Sequence, residues 1–197
     1  SAMNHSSAAS MTPCTLDDVA RLEQAATRHT TPCGDGHLVW HAWGPDDGDP
    51  IVLLHGGAGS WTHWVRNIGP LVQAGRRVLV PDMPGFGDSA RPPDGEDADV
   101  LPRWLERGLQ RLIGATAIDL AGFSFGGLTA GIWAHEVPGR VARLVLVGVP
   151  SLSNELLKPL DLRVWHTTPP GPARDALHRH NLLQLMVAHE ASADALA

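Results

Sequence analysis

Residues 117–131 read A-I-D-L-A-G-F-S-F-G-G-L-T-A-G. A short apolar run of strand length gives way to Gly122-Phe123-Ser124-Phe125-Gly126, and then to small and apolar residues that suit a helix. A serine between two glycines at a strand-to-helix change marks a tight turn that lifts the hydroxyl above the end of a sheet. Side chains at either glycine position would collide with that turn. By composition the pattern G-x-S-x-G is expected about 0.1 times by chance in a chain of this kind, so its position between strand and helix is what gives it weight. The start of the following helix leaves backbone N–H groups without intrahelical partners beside the serine. Phe125 N–H is therefore a candidate donor to an oxyanion developing near Ser124.

Outward from this stretch the chain alternates strand and helix patterns. I-V-L-L (51–54), R-V-L-V (77–80), A-I-D-L-A (117–121) and V-A-R-L-V-L-V-G-V (141–149) read as buried parallel strands. Helical stretches at 61–74, 96–113 and 125–136 separate them and are long enough for right-handed crossovers. Residues 37–43 alternate as a half-exposed strand, followed by the turn G-P-D-D-G-D-P. Thr15 caps a leading helix expected over 15–28, with apolar positions at Leu16, Val19, Ala20 and Leu22. The alternation predicts an α/β fold built on a mostly parallel sheet flanked by helices.

With 197 residues, 43% hydrophobic and 18% charged, the chain is long enough for one domain with a sizeable core. A net charge of −6 without a basic run argues against nucleic acid or an anionic membrane as partner, which leaves a small molecule. No apolar stretch approaches the ~18 residues of a spanning helix. Cys14 and Cys33 lie in no metal-ligand or C-x-x-C spacing and read as incidental, and no metal or cofactor is expected. The start, S-A-M-N-H-S-S-A-A-S-M, lacks a basic-then-apolar leader. Residues 1–14 are therefore expected to be tag-like or flexible, and the protein to be cytoplasmic.

A second glycine loop, H-G-G-A-G-S (55–60), leaves the strand at 51–54. Its glycines allow a backbone N–H, that of Gly57, to face the same point as Phe125 N–H. A phosphate cradle is the competing reading, but the loop lacks both a G-K-[ST] ending and the G-x-G-x-x-G spacing. His55 reads as a residue that fixes the loop. Trp61, His63, Trp64 and Asn67 follow at the start of the next helix, and Trp61 and Trp64 are candidates both for packing that helix and for lining a substrate pocket.

The order H-G-G loop, P-D-M-P-G-F-G-D-S (81–89) and G-F-S-F-G resembles the α/β-hydrolase superfamily over about residues 31–150. That resemblance implies Ser124 as nucleophile, Gly57 and Phe125 as oxyanion-hole residues, and Asp82 as the shaper of a turn. H-G-G-x-G-S followed by W-T-H-W-V-R-N-I (61–68) is similar to the carboxylesterase and meta-cleavage product C–C hydrolase branch. A serine nucleophile in place of an aspartate argues against epoxide hydrolase or haloalkane dehalogenase chemistry.

The resemblance also implies an acid and a histidine after later strands, in the order Ser, Asp or Glu, His. His135, His166, His178, His180 and His189 follow no strand of the sheet and read as surface or cap residues, while Glu155 is a weak candidate for the acid. The base and acid are expected beyond Ala197, with the final strands missing from the chain. Residues 15–150 then form the N-terminal part of the core. Residues 151–197, Pro-rich and then helical from about 173 to 191, begin a helical cap. The expected function is hydrolysis of a small ester through an acyl-enzyme on Ser124. C–C bond hydrolysis of a meta-cleavage-type diketone is the second reading, and a non-catalytic ligand- or partner-binding protein of the same fold is the third.

Overall fold

The computed structural model describes residues 14–149, 161, 163–164 and 167–185. Two units are distinguished, Asp17–Asn154 and a second drawn from Ser1–Leu16 and Glu155–Ala197. In the first, the apolar runs become the strands of one six-stranded sheet. These are β1 (Thr27–Cys33), β2 (Gly36–Trp43), β3 (Pro50–Leu54), β4 (Arg77–Pro81), β5 (Ile118–Phe123) and β6 (Val141–Val147), in the order β1-β2-β4-β3-β5-β6. β4, β3, β5 and β6 run parallel, whereas β2 is antiparallel to β1 and β4.

Alternation along the inner strands divides the core into two layers, because successive side chains point to opposite faces. Val52, Leu54, Leu79, Ile118 and Leu120 join a cluster with Leu101, Leu105 and Leu109 of α3 (Leu101–Ile113) and Ala130 and Trp133 of α4 (Phe125–Glu136). Leu53, Val78, Val80 and Ala121 face the other way, toward Trp61 and Trp64, which precede α2 (Val65–Gln73), and Ile68 within it. Both faces being covered explains why these strands read as continuous apolar runs.

Several elements differ from the sequence expectation, among them α3, which begins at Leu101 and not at residue 96. The leading helix, α1 (Leu16–Ala25), stops short of residue 28, and β1 begins two residues after it. β1 exposes most of its residues and carries Pro32, as an edge strand tolerates, so T-R-H-T-T-P-C offers no apolar alternation to read. It closes a hairpin on β2 through Gly34, whose φ of +57° suits a two-residue turn. The stretch expected as one helix over 61–74 is a 3-10 turn at Trp61–Trp64, capped by Ser60 Oγ, and then α2. β6, expected to be buried, is largely exposed, with Val145 at 55% and Val147 at 45%. Among the described residues it pairs with β5 alone.

α4 is held to α3 through polar contacts at a buried arginine. Arg140 donates to both carboxylate oxygens of Glu106, to Gln110 Oε1 and to the carbonyls of Gly114 and Thr116, while Trp133 Nε1 donates to Glu106 Oε2. In the second unit α5 spans Pro172–Leu185, against an expected 173–191, and residues 186–191 lie outside the described ones. Among the described residues no helix is long and apolar enough to cross a membrane.

Candidate active site

β3, β4 and β5 are parallel and adjacent, so the loops at their C-terminal ends meet at one edge of the sheet. The pairing of Leu54 with Gly122 places the H-G-G loop beside the G-F-S-F-G turn. Ser124 sits between β5 and α4 with φ 53° and ψ −117°, a conformation that costs a non-glycine residue about 1–3 kcal/mol. Its backbone N–H bonds to Val147 O of β6, and its carbonyl accepts from Gly127 N and Leu128 N. The turn is thereby fixed from both sides.

The flanking glycines are required by backbone, not by flexible side chains. A Cβ at Gly122 would lie 2.4 Å from Gly126 O and 2.6 Å from Gly127 Cα, and one at Gly126 would lie 2.3 Å from His55 O and 2.5 Å from Leu54 O. Gly126 is thus the point where α4 touches the end of β3. Replacing Gly126 with alanine is expected to cost about 1–3 kcal/mol of stability. Equilibrium urea unfolding measures it, and an unchanged midpoint would show that the two loops are not in this contact.

Gly57 differs from its neighbours, since a Cβ there would meet only Phe125 Cβ at 3.8 Å. The residues that carry the two expected oxyanion donors are therefore neighbours in space. The direction of Gly57 N–H follows from the peptide it shares with Gly56, because in a planar trans peptide N–H and C=O point opposite ways. Gly56 O accepts from His55 Nδ1 at 2.8 Å and from Gly59 N at 3.2 Å, which turns Gly57 N–H away from that side of the loop. His55 is fully buried, and its Nε2 accepts from Met83 N at 2.9 Å. With both ring nitrogens committed to backbone groups, His55 ties the H-G-G loop to the loop after β4. Burial is the largest influence on it and holds its pKa below the ordinary histidine value, against opposing effects of the Gly56 bond and Asp82.

Asp82 is buried and organises that second loop. Its carboxylate accepts from Trp61 N at 2.9 Å and from Asp88 N at 3.0 Å, and Ser89 Oγ donates to Asp82 O. Gly87, with φ +51°, passes so close that a Cβ would fall 2.4 Å from Asp82 Oδ2. The carboxylate thus anchors both its own turn and the start of the 61–64 turn.

Trp61 and Trp64 are 5% and 9% exposed within the core layer under α2, and Trp61 packs against His41 and Trp43. That burial leaves them little surface to offer a substrate. His63 is half-buried, and its Nδ1 accepts from Gly56 N at 3.1 Å. Sequence reading placed His63 near the site but gave no sign of this bond, which joins residues seven apart across a loop. His135 lies exposed on α4. His180, on α5, bonds to Asp161, and His178 is on the same helix. Glu155, His166 and His189 lie outside the described residues.

A strained serine at the C-terminal end of a central parallel strand, opposite a glycine loop on the neighbouring strand, defines the α/β-hydrolase class of site. The chain belongs to this family: the profile described as alpha/beta hydrolase fold matches residues 49–187. It is 36% identical over 118 residues to 2-hydroxy-6-oxo-6-phenylhexa-2,4-dienoate hydrolase of Burkholderia cepacia, covering 58% of this chain and 41% of the relative. Over 130 residues it is 39% identical to 2-hydroxy-6-oxo-2,4-heptadienoate hydrolase of Pseudomonas putida, covering 64% and 46%. The chain spans less than half the length of these curated relatives. Among solved structures it is similar to Cfl2 from Burkholderia cenocepacia, with a TM-score of 0.60 and 29% identity over 79% of this chain and 50% of that one. Epoxide Hydrolase A from Mycobacterium thermoresistibile gives a TM-score of 0.56 and 28% identity, covering 61% and 38%.

Proposed function

We propose that Ser124 is the nucleophile of a hydrolase acting on a small carbonyl substrate, with Gly57 N–H and Phe125 N–H binding the oxyanion. The observation that carries this reading is the strained backbone of Ser124 set beside Gly57 and Phe125. Backbone and side-chain hydrogen bonds restrain the two loops that carry these groups before any substrate arrives, as stabilisation of a developing oxyanion requires. A serine hydroxyl needs an adjacent base. His55 and His63 are committed to backbone groups, so neither is offered as that base.

The named relatives favour a 2-hydroxy-6-oxo-dienoate as substrate, with water added across a C–C bond next to the ketone. Ester hydrolysis through an acyl-enzyme is the second reading, supported by the same serine and oxyanion donors. Side-by-side kinetics on 2-hydroxy-6-oxo-6-phenylhexa-2,4-dienoate and p-nitrophenyl acetate separate the two. The expected result is a kcat/KM at least about tenfold higher for the dienoate. A ratio reversed by the same factor would assign the protein to ester chemistry. Turnover of neither, with no modification of Ser124 by a fluorophosphonate, would favour a non-catalytic binding protein.

A further inference from the structure

We propose that His63 is a positioning residue for the oxyanion donor Gly57, acting through a hydrogen bond accepted from Gly56 N–H. The inference rests on the reading of Gly57 as an oxyanion donor and adds the residue that holds it in place.

The imidazole is wedged inside the 56–60 loop. Its Nδ1 accepts Gly56 N–H at 3.1 Å, and its far side lies against Gly59 so closely that a Cβ there would fall 2.2 Å from Cε1 and 2.4 Å from Nε2. Edge-to-face contacts join the ring to His55 at 6.0 Å and to Phe123, the residue before the nucleophile, at 5.8 Å. The peptide that carries Gly57 N–H is therefore held from both ends. His55 and Gly59 fix its carbonyl, and His63 fixes the preceding N–H and hence the placement of Gly56 Cα. Glycine has no side chain to resist rotation, so two consecutive glycines keep an N–H aimed only if such bonds restrain them. A donor displaced by about 1 Å from its productive geometry can cost about a hundredfold in rate. His63 must be neutral to accept this bond, and burial holds its pKa below the ordinary value.

Two variants separate the hydrogen bond from mere filling of the loop. His63→Asn keeps an acceptor where Nδ1 lies, while His63→Leu keeps apolar bulk without one. In His63→Leu, Gly56 amide exchange should quicken at least about tenfold and the Gly57 amide resonance should shift while that of Phe125 stays in place. In the active enzyme kcat should fall about tenfold to a hundredfold with KM little changed. His63→Asn should restore each within about threefold. An unchanged Gly56 and Gly57 in His63→Leu, or a His63→Asn protein as impaired as His63→Leu, would overturn the proposal. Should His63→Leu fail to fold, the unsubstituted protein decides: a scalar coupling across Gly56 N–H to His63 Nδ1 supports the assignment, and a protonated Nδ1 at neutral pH refutes it. These amide measurements need no turnover, so a protein that hydrolyses nothing would refute the proposed function while His63 was still judged on its own result.

Discussion

Replacing Ser124 with alanine is expected to abolish hydrolysis, with a loss on the order of 10⁶ in kcat, while leaving stability within about 0.5 kcal/mol of the parent. The asymmetry follows from what the residue does in the fold. Its backbone bonds to Val147, Gly127 and Leu128 survive the substitution, and alanine meets the same φ of 53° with the same Cβ. Only the hydroxyl is removed. A nucleophile acts in concert with its base and oxyanion donors, so its loss costs nearly as much as loss of the whole set. Retention of more than about a tenth of the activity would mean that another group attacks the substrate.

The second large effect is expected at Gly57. Valine there should lower kcat by about 10²–10³ with a smaller change in KM, because one oxyanion donor is worth about 2.7–4 kcal/mol in the transition state. The geometry gives a specific route for the loss. A Cβ at this position meets only Phe125 Cβ, at an ordinary 3.8 Å, so the loop accepts it without backbone collision. The branched methyls beyond it are expected to press on Phe125, whose N–H is the other proposed donor. Gly57→Ala should therefore be much milder than Gly57→Val, and both should unfold close to the parent midpoint. Equal kcat values for the parent and Gly57→Val would remove the loop from the oxyanion site. Destabilisation in place of lost activity would make it structural.

Much of this architecture is legible in the sequence because glycine is demanded where backbones touch. Gly122 and Gly126 announce the turn around Ser124, and the apolar runs at β3, β4 and β5 announce strands covered on both faces. β1 is not legible in the same way, since an edge strand shows water most of its residues and keeps no apolar period. β6 misleads in the opposite direction. Its V-A-R-L-V-L-V reads as core, yet in the described structure it has a neighbour on one side only.

Within the candidate site, residue types point to the proposed donors and nucleophile, but not to the bonds that hold their loops. His55 reads as a loop-fixing residue because the task of its loop falls to backbone donors, whereas its partner Met83 N–H lies 28 residues further along the chain and becomes visible only when β3 and β4 pair. The same holds for Asp82 and Trp61 N–H, joined across 21 residues. Trp61 and Trp64 show the limit of a side-chain argument. Tryptophans at the start of a helix near a catalytic loop suit either a pocket wall or a core, and only the packing of α2 on the sheet reveals how deeply they are buried.

The central claim, that Ser124 is the nucleophile, is tested most directly by treating the active protein with a fluorophosphonate and mapping the adduct by peptide mass spectrometry, before and after Ser124→Ala. A single adduct is expected on the peptide containing Gly122–Gly126, located on Ser124, and it should disappear in the alanine variant. An adduct on another residue, or turnover that persists once Ser124 is alanine, would contradict it.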